Sequence, residues 1–398
     1  MESNFNRELG RPVIITPGSS VAALGFTRSL GEQGVPVIAL GGTSGPGLFS
    51  KYCRAMARNG LSERSVLIET VMRIAESLHQ RPVLLACSDD AARTISLNKS
   101  ALERCMDAPV FDTEVGGACL TKTGLHDAAE KLGVPQPQAY FPEGLEGLAR
   151  IAESIDYPCV LKPDNSKEFY RAFGVKAVIA RSRDELIQSY VATASRNIRA
   201  FVQEYVPGET DANYGFAAYF DRDSRPHCAV TYRRLREWPP NSLGITAMAV
   251  SIDAPKLLEQ ASRFFSGLKY HGIAQAEFKR DPRDNQWKIL DVNPRAWTSN
   301  LLATRCGCNI PYAAYLDCNG LSLEGSRMRP SVKWVNITDA FFSSLSGWGR
   351  GQLSLSECLR PMVGGVADAV FDWRDLKPFA WVLRTGAIIS HFGKVWQT

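Results

Sequence analysis

The sequence has few histidines, no regular cysteine spacing, no strong charge imbalance and no long apolar run, and each absence removes a class of function. The five histidines, His79, His126, His227, His271 and His391, are dispersed and form no HExxH pair, which argues against a zinc hydrolase of that type. Ten cysteines are scattered irregularly; the close pair Cys306 and Cys308 is separated by one residue and has no matching cluster to complete a zinc site. With a polar start at Met1-Glu2-Ser3, reduced thiols and a cytoplasmic protein are expected. A net charge of +5 over 398 residues is mild, and Arg233, Arg234 and Arg236 form its main basic cluster, so nucleic acid is not an expected partner. The apolar end Pro378 to Phe392 is too short and, with Arg384, too polar to span a bilayer; a docked helix is expected there and no integral membrane segment.

A complete GxGxxG is also missing. The turn Pro17-Gly18-Ser19-Ser20 with Gly25 could present N–H groups to an anion, but the next strand ends in Leu40-Gly41-Gly42 where a dinucleotide fold needs an acidic residue. This disfavours a nicotinamide-dependent oxidoreductase. The turn, together with Asp89 and Asp90 after a later strand, still stands where open α/β sheets collect ligands.

What is present is an ordinary globular composition, 45% hydrophobic and 22% charged, with length for two or three domains. Strand and helix signals alternate at first: Val13–Thr16, a helix from Val21 to Gln33, Val35–Leu40, a helix from Arg64 to His79, and Val83–Cys87. From about Pro109 the order changes. Helices are expected over Lys122–Leu132 and Leu145–Ser154, then a strand from Tyr157 that delivers Lys162 at its end. A polar loop from Asp164 to Arg171, a strand Gly174–Ala180 carrying Lys176, a helix Ser182–Ala194 and a strand Ala200–Val206 follow. Further strands are expected at Tyr214–Phe220 and His227–Arg233, and a helix at Pro255–Leu268.

The stretch from Glu277 to Arg295, EFKRDPRDNQWKILDVNPR, carries the chemistry. Apolar and polar residues alternate in Ile273–Lys279 and Trp287–Asn293, with turn chemistry between them, which predicts an antiparallel hairpin. If Asp281 pairs with Trp287, Glu277 lies opposite Asp291, and Asp291 and Asn293 share its face. Two carboxylates and an amide oxygen are hard donors suited to Mg2+; the alternative is an exposed acidic hairpin end.

Lys122, Lys162-Pro163, Gln203-Glu204-Tyr205-Val206-Pro207-Gly208, and Glu277 followed by Asp291-Val292-Asn293-Pro294-Arg295 occur in an order that resembles the ATP-grasp superfamily over roughly residues 10 to 320. The run Tyr232 to Pro240 and Asp375-Leu376-Lys377-Pro378 resemble its carboxylate–amine ligase branch. The resemblance implies an ATP-grasp fold of α/β and α+β class. It would comprise an N-terminal open α/β domain (1–108), a small α+β lid (109–203), a larger central antiparallel sheet domain (204–320) and a C-terminal extension (321–398). It implies ATP and Mg2+, with a second ion or Mn2+ as variants, and small carboxylate and amine substrates joined through an acylphosphate by a cytoplasmic enzyme, as a homodimer in one reading.

The resemblance also carries roles over. It implies that Lys122, Lys162 and, more weakly, Lys176 bind nucleotide phosphates, and that Glu204 meets the adenine amino group. Tyr205 and Val206 would form the hinge, Asp211 or its competitor Glu209 would meet ribose, and Glu277, Asp291 and Asn293 would hold the metal. Arg295 would lie near the transferring phosphate, and it or one of the basic cluster, with Arg236 chosen, would hold the acid. Two departures stand out: the Asp164–Phe173 segment lacks the family's loop glycines, and Asp291 stands where glutamate is usual. Transfer of phosphate to another acceptor, or nucleotide binding without turnover, are the competing expectations.

Overall fold

The structure is a computed structural model that describes residues 10–385, apart from 43, 58–59, 165, 239–243, 324–326, 350–353, 355 and 357–365. Four strands, β1 (Val13–Thr16), β2 (Val37–Gly41), β3 (Cys53–Ala57) and β4 (Val83–Ala86), form a parallel sheet in the order β3-β2-β1-β4. Parallel sheets are covered on both faces, which is why β1 and β2 read as unbroken apolar runs. Two helices start just beyond the carboxyl ends of their strands, at the same edge of the sheet but on opposite faces. Val21–Gly31 follows β1 and is capped by Ser20, whose Oγ accepts from Ala23 N at 3.1 Å; Asp89–Leu97 follows β4 and is capped likewise by Ser88.

The next unit is a small antiparallel sheet, β5 (Ala139–Tyr140), β6 (Cys159–Pro163), β7 (Val178–Ala180) and β8 (Ala200–Glu204), in the order β5-β8-β6-β7. Helices Gly144–Ser154 and Arg183–Ala194 supply Leu148, Ala152 and Leu186 to one face, where they meet Cys159, Leu161 and Val202. Alternation along β6 turns Val160 and Lys162 to the other face.

Two expectations fail here. The segment expected as a polar loop forms the helix Ser166–Phe173, because Phe169 and Phe173 fall one turn apart, their rings 4.6 Å from centre to centre with Phe169 fully buried. The strand expected from Gly174 shrinks to Val178–Ala180, so Lys176 sits in the bend leading into it.

The large sheet contains β9 (Asn213–Phe220), β10 (Pro226–Trp238), β11 (Ile245–Ser251), β12 (Gly272–Arg280), β13 (Trp287–Asn293), β14 (Lys333–Val335) and β15 (Val366–Asp368). Its order is β13-β12-β9-β10-β11-β14-β15, antiparallel except at the β14–β15 edge. The strand expected to end at Arg233 therefore runs on through the arginine cluster to Trp238. β14 and β15 lie in the C-terminal extension yet complete this sheet. Helix Pro255–Gly267 packs Leu257, Ala261, Phe264 and Phe265 against Phe216, Phe220, Ala274, Ala276 and Phe278. Since Ala274, Ala276 and Phe278 face that helix, Gln275 and Glu277 face the opposite side.

The tail docks on the first sheet. Helix Lys377–Thr385 lies against the turn Pro46–Phe49, the Trp381 ring stacked on Phe49 at 5.7 Å; residues 386–392 of the expected helix lie outside the described residues. Fully buried Arg28, in helix Val21–Gly31, donates from Nε to equally buried Asp375 at 3.0 Å and from Nη2 to Val370 O at 2.7 Å. Asp375 also accepts from Ser50 Oγ at 2.7 Å and Lys51 N at 2.8 Å. Among the described residues, no helix is long and apolar enough to cross a membrane.

Candidate functional site

The hairpin pairs Glu277 with Asp291 and Gln275 with Asn293, the expected register at the acidic pair. Its loop end differs by one residue, since Trp287 pairs with Arg280 rather than Asp281. The cause is Asp281, which leaves the ladder: its buried carboxylate accepts from Arg283 N at 3.0 Å and pairs with Arg283 and Lys288. Hydrogen bonds from Arg283 and Lys288 hold that carboxyl well below the usual range against the opposing effect of burial. A bulge between Glu277 and Phe278 absorbs the extra residue and restores the pairing.

A hydrogen-bond chain fixes the end of β13. Gln275 donates from Nε2 to Tyr232 Oη at 2.9 Å and accepts from Asn293 Nδ2 at 2.5 Å. Asn293 Oδ1 in turn accepts from Arg295 Nη2 at 2.7 Å, and Arg295 Nε donates to Asp89 Oδ1 at 2.8 Å. The amide of Asn293 is thereby oriented with its oxygen toward Arg295. Gly215 faces Tyr232 across β9 and β10, where a Cβ would lie 2.0 Å from the Tyr232 ring, so the tyrosine at the base of this chain requires glycine opposite it.

Cations from three elements converge on the acidic pair. Lys122, at the start of helix Lys122–Lys131, contacts Asp291 at 2.5 Å, and Arg234 on β10 lies 3.4 Å from Glu277 and 3.3 Å from Glu237. Burial pushes the Asp291 carboxyl up, but Lys122 and Lys162 outweigh it and the net shift is down. Lys162 is pushed down to about 8, by burial and then by Lys122, while Asp291 and Glu277 oppose the shift. Lys176 is lowered as well, chiefly by burial, with Glu277 and Asp291 again opposing. The ion pairs among the described residues include neither Lys162 nor Lys176. Two half-buried ammonium groups near a carboxylate pair, with no anion bonded to either among the described residues, form a setting for a ligand of high negative charge.

The other sequence-nominated residues fall as follows. Glu204 ends β8, its carboxylate paired with Arg283 and, at 3.4 Å, Lys288, while Gln138 N donates to it at 3.1 Å. Its side chain therefore ties the small sheet to the hairpin loop. Tyr205 lies under Lys279, 5.2 Å from ring centre to Nζ, and Val206 is buried. Asp211 is exposed in the turn Thr210–Ala212 and lies 3.7 Å from Arg233. Within the basic cluster, Arg234 rather than Arg236 reaches the acidic pair. Two shifts in the β10–β11 ladder set Arg234 opposite Ala249 and Arg236 opposite the adjacent Met248. Alternation puts those partners, and hence the two arginines, on opposite faces.

Arg295 also lines a cavity of about 510 Å³. Ser20 and Ala22 come to it from the first helix start and Ser88 and Asp89 from the second, while Thr298, Asn336, Thr338, Asp339, Val370, Trp381 and Val382 come from later chain. The turn and acidic pair singled out in the first hundred residues thus reach a cavity, through Ser20 and Asp89. The contribution of the C-terminal extension was not foreseen. No periodicity or motif near Asn336 or Trp381 marks them as lining, and only the long-range docking of the tail brings them there.

No protein-family model matches the chain. Over 325 residues it is 25% identical to D-aspartate ligase of Enterococcus faecium, covering 78% of this chain and 77% of that protein. Among solved structures it resembles the biotin carboxylase domain of Hydrogenobacter thermophilus 2-oxoglutarate carboxylase, solved with MgADP and bicarbonate. That match has a TM-score of 0.64 at 14% identity and covers 82% of this chain and 74% of that one. L-amino acid ligase from Bacillus licheniformis matches with a TM-score of 0.60 at 13% identity, covering 82% and 79%. The chain thus has the ATP-grasp fold of these structures, and its sequence is similar to that of a D-aspartate ligase.

Proposed function

We propose that this chain binds ATP between the small sheet and the large one and uses it to join a carboxylic acid to an amine. The observation that carries this reading is the pair of half-buried lysines, Lys162 and Lys176, with lowered pKa and, among the described residues, no carboxylate bonded to either, in the field of Glu277 and Asp291. The β- and γ-phosphates of ATP would supply the missing negative charge.

Glu277, Asp291 and the Asn293 amide oxygen are the hard donors that would hold Mg2+, or Mn2+ in its place, with room in the proposal for two ions. They fit a divalent cation because Glu277 faces Asp291 across the ladder, and the ion would take over oxygens that Arg234, Lys122 and Arg295 now contact. When bound, the ion neutralises phosphate charge and aligns the γ-phosphate. A carboxylate oxygen of the acid attacks the γ-phosphorus, the bond to the β-phosphate oxygen breaks and ADP leaves. Lys122, Lys162 and Lys176 stabilise the charge that builds on the phosphate oxygens. Arg295, held by Asp89 and Asn293, orients the acid. The amine nitrogen then attacks the acyl carbon of the acylphosphate, phosphate leaves with the bonding pair, and the departing phosphate takes up the proton that the amine gives up.

Glu204, Tyr205 and Val206 stand at the junction of the two sheets. With the Glu204 carboxylate committed to Arg283 and Lys288, the adenine contact falls to backbone groups of this segment, and Asp211 is assigned to ribose. Segments 1–108, 109–203, 204–320 and 321–398 are proposed as acid-binding, lid, metal-binding and closing units of a cytoplasmic homodimer. The test is ADP and phosphate release with Mg2+ across paired acids and amines, followed by mass analysis of the product. Release stimulated only by an acid–amine pair, with a condensed product, is expected; release indifferent to the amine would overturn ligation.

A further inference from the structure

The cavity beside Arg295 carries information about which acid is used. Arg295 is the one cation in its lining among the described residues, and the two acidic groups there, Asp89 and Asp339, already have partners. Away from Arg295 one wall is apolar, formed by Ile245, Val370, Trp381 and Val382, and the polar groups beside it, Thr298, Asn336 and Thr338, carry no charge. A carboxylate at Arg295 shares the guanidinium with Asp89, which holds it through Nε and Nη2, and the starts of the helices Val21–Gly31 and Asp89–Leu97 add positive potential to the same corner. A second carboxylate on the same substrate would find at most the neutral groups of Thr298, Asn336 and Thr338, and against Trp381 and Val382 would have to shed its hydration without a counter-charge.

We infer that the activated acid is a monocarboxylate with an apolar body, its carboxylate at Arg295 and its body against a wall supplied by the C-terminal extension, with Trp381 as the specificity-determining residue. This rests on the ligase reading and departs from the aspartate in the name of the Enterococcus faecium relative, an acid with two carboxylates. The wall has a fixed seat: Trp381 stacks on Phe49, and Asp375, six residues before it, is locked to Arg28, Ser50 and Lys51. A cavity of about 510 Å³ also has space for an acid with a bulky side group.

The experiment is calorimetric titration of the full chain, with and without Mg2+ and a non-hydrolysable ATP analogue, using 3-phenylpropionate and hexanoate against succinate and aspartate. The apolar monocarboxylates should bind at least roughly tenfold tighter than the dicarboxylates. Trp381→Ala should weaken them by roughly tenfold or more while the analogue binds as before, and Trp381→Phe should restore most of the affinity. Equal or tighter binding of succinate and aspartate, or apolar acids indifferent to Trp381→Ala, would overturn the inference. Failure to bind the analogue would instead count against the ATP reading, and the titrations without nucleotide still decide the acid.

Discussion

The two charged clusters of this molecule are built on opposite plans. Arg28 and Asp375 are both fully buried and matched one to one, and Ser50, Lys51 and Val370 supply the remaining bonds. Among the described residues, only Nη1 of that guanidinium lacks a partner. At the hairpin, by contrast, Lys122 and Arg234 are paired with Asp291 and Glu277, while Lys162 and Lys176 feel the same acids but form no ion pair among the described residues. The first cluster is electrostatically complete and holds two parts of the chain together. The second, on the proposed function, is completed by the phosphates of ATP. A buried charge pair with its charges matched points to architecture, whereas cations in excess of their bonded anions point to a ligand site.

Breaking the complete cluster should cost the most. Asp375→Ala strands Arg28 in a dry interior, and a loss of about 3–5 kcal/mol in unfolding free energy is expected from urea titration. Replacing both partners by apolar residues, Arg28→Met with Asp375→Leu, should recover most of that loss, because no unpaired charge is left. If Asp375→Ala proves as stable as the parent, the pair is not the latch described here.

The incomplete cluster should respond in the opposite sense, losing activity and keeping the fold. Asp291→Ala removes a proposed ligand of the divalent ion, so ADP release should fall by roughly 10²–10³-fold. Its urea midpoint should stay close to the parent's, since the residue lies in the cleft and anchors no core contact. A variant that unfolds earlier but turns over normally would reverse the comparison.

Lys162 tests the same contrast more gently. Lys162→Ala should weaken ATP binding by roughly tenfold to a hundredfold, as expected for loss of a charged hydrogen bond. The sign of the pH effect follows from its pKa of about 8 in the free protein. Below pH 8 the lysine is charged with or without nucleotide, so affinity is level there. Above it, binding requires proton uptake, and affinity should fall as pH rises. Calorimetry from pH 7 to 9.5 should show that fall in the parent and not in Lys162→Ala.

Much of the second cluster was legible in the sequence, and almost none of the first. The pairing of Glu277 with Asp291 follows from alternation in two strands a short loop apart, and the loop-end error came from Asp281 binding its own turn. Lys162 was placed at a strand end by the apolar run before it, but Lys176 was misplaced on a strand because β7 forms only where Val178 can pair with Leu161. The helix Ser166–Phe173 was hidden because its charged residues masked the Phe169–Phe173 spacing. β11, which pairs beyond Arg233, was missed because its small residues give a weak alternating signal. Arg28 and Asp375 stand 347 positions apart, and an arginine in a helix reads as surface until the tail is seen to cover it. Local periodicity gives elements and near register; latches and cavities made by distant chain come only from packing.

His271 offers a third plan, a buried titratable group held neutral, and the smallest effect of the set at mildly acidic pH. Burial pushes it down to about 4, with Lys99 and Arg222 adding to the shift and Asp112 and Asp221 opposing it. Its ring Nε2 lies 3.5 Å from the hydroxyl of buried Tyr219. The sign is fixed by comparison with the unfolded chain, where an ordinary histidine takes up its proton near pH 6.5. Above that pH neither state is protonated and nothing is lost. As pH falls toward 4 the unfolded state gains a proton that the folded state refuses, so stability declines. At pH 5.5 the loss should be roughly 1 kcal/mol, read as the difference between urea unfolding at pH 7.5 and at pH 5.5. In His271→Gln that difference should shrink by the same amount. Identical differences in parent and variant would mean that His271 takes up its proton in the folded protein as readily as in the unfolded chain, and that this pocket tolerates a charge the other two clusters must pair.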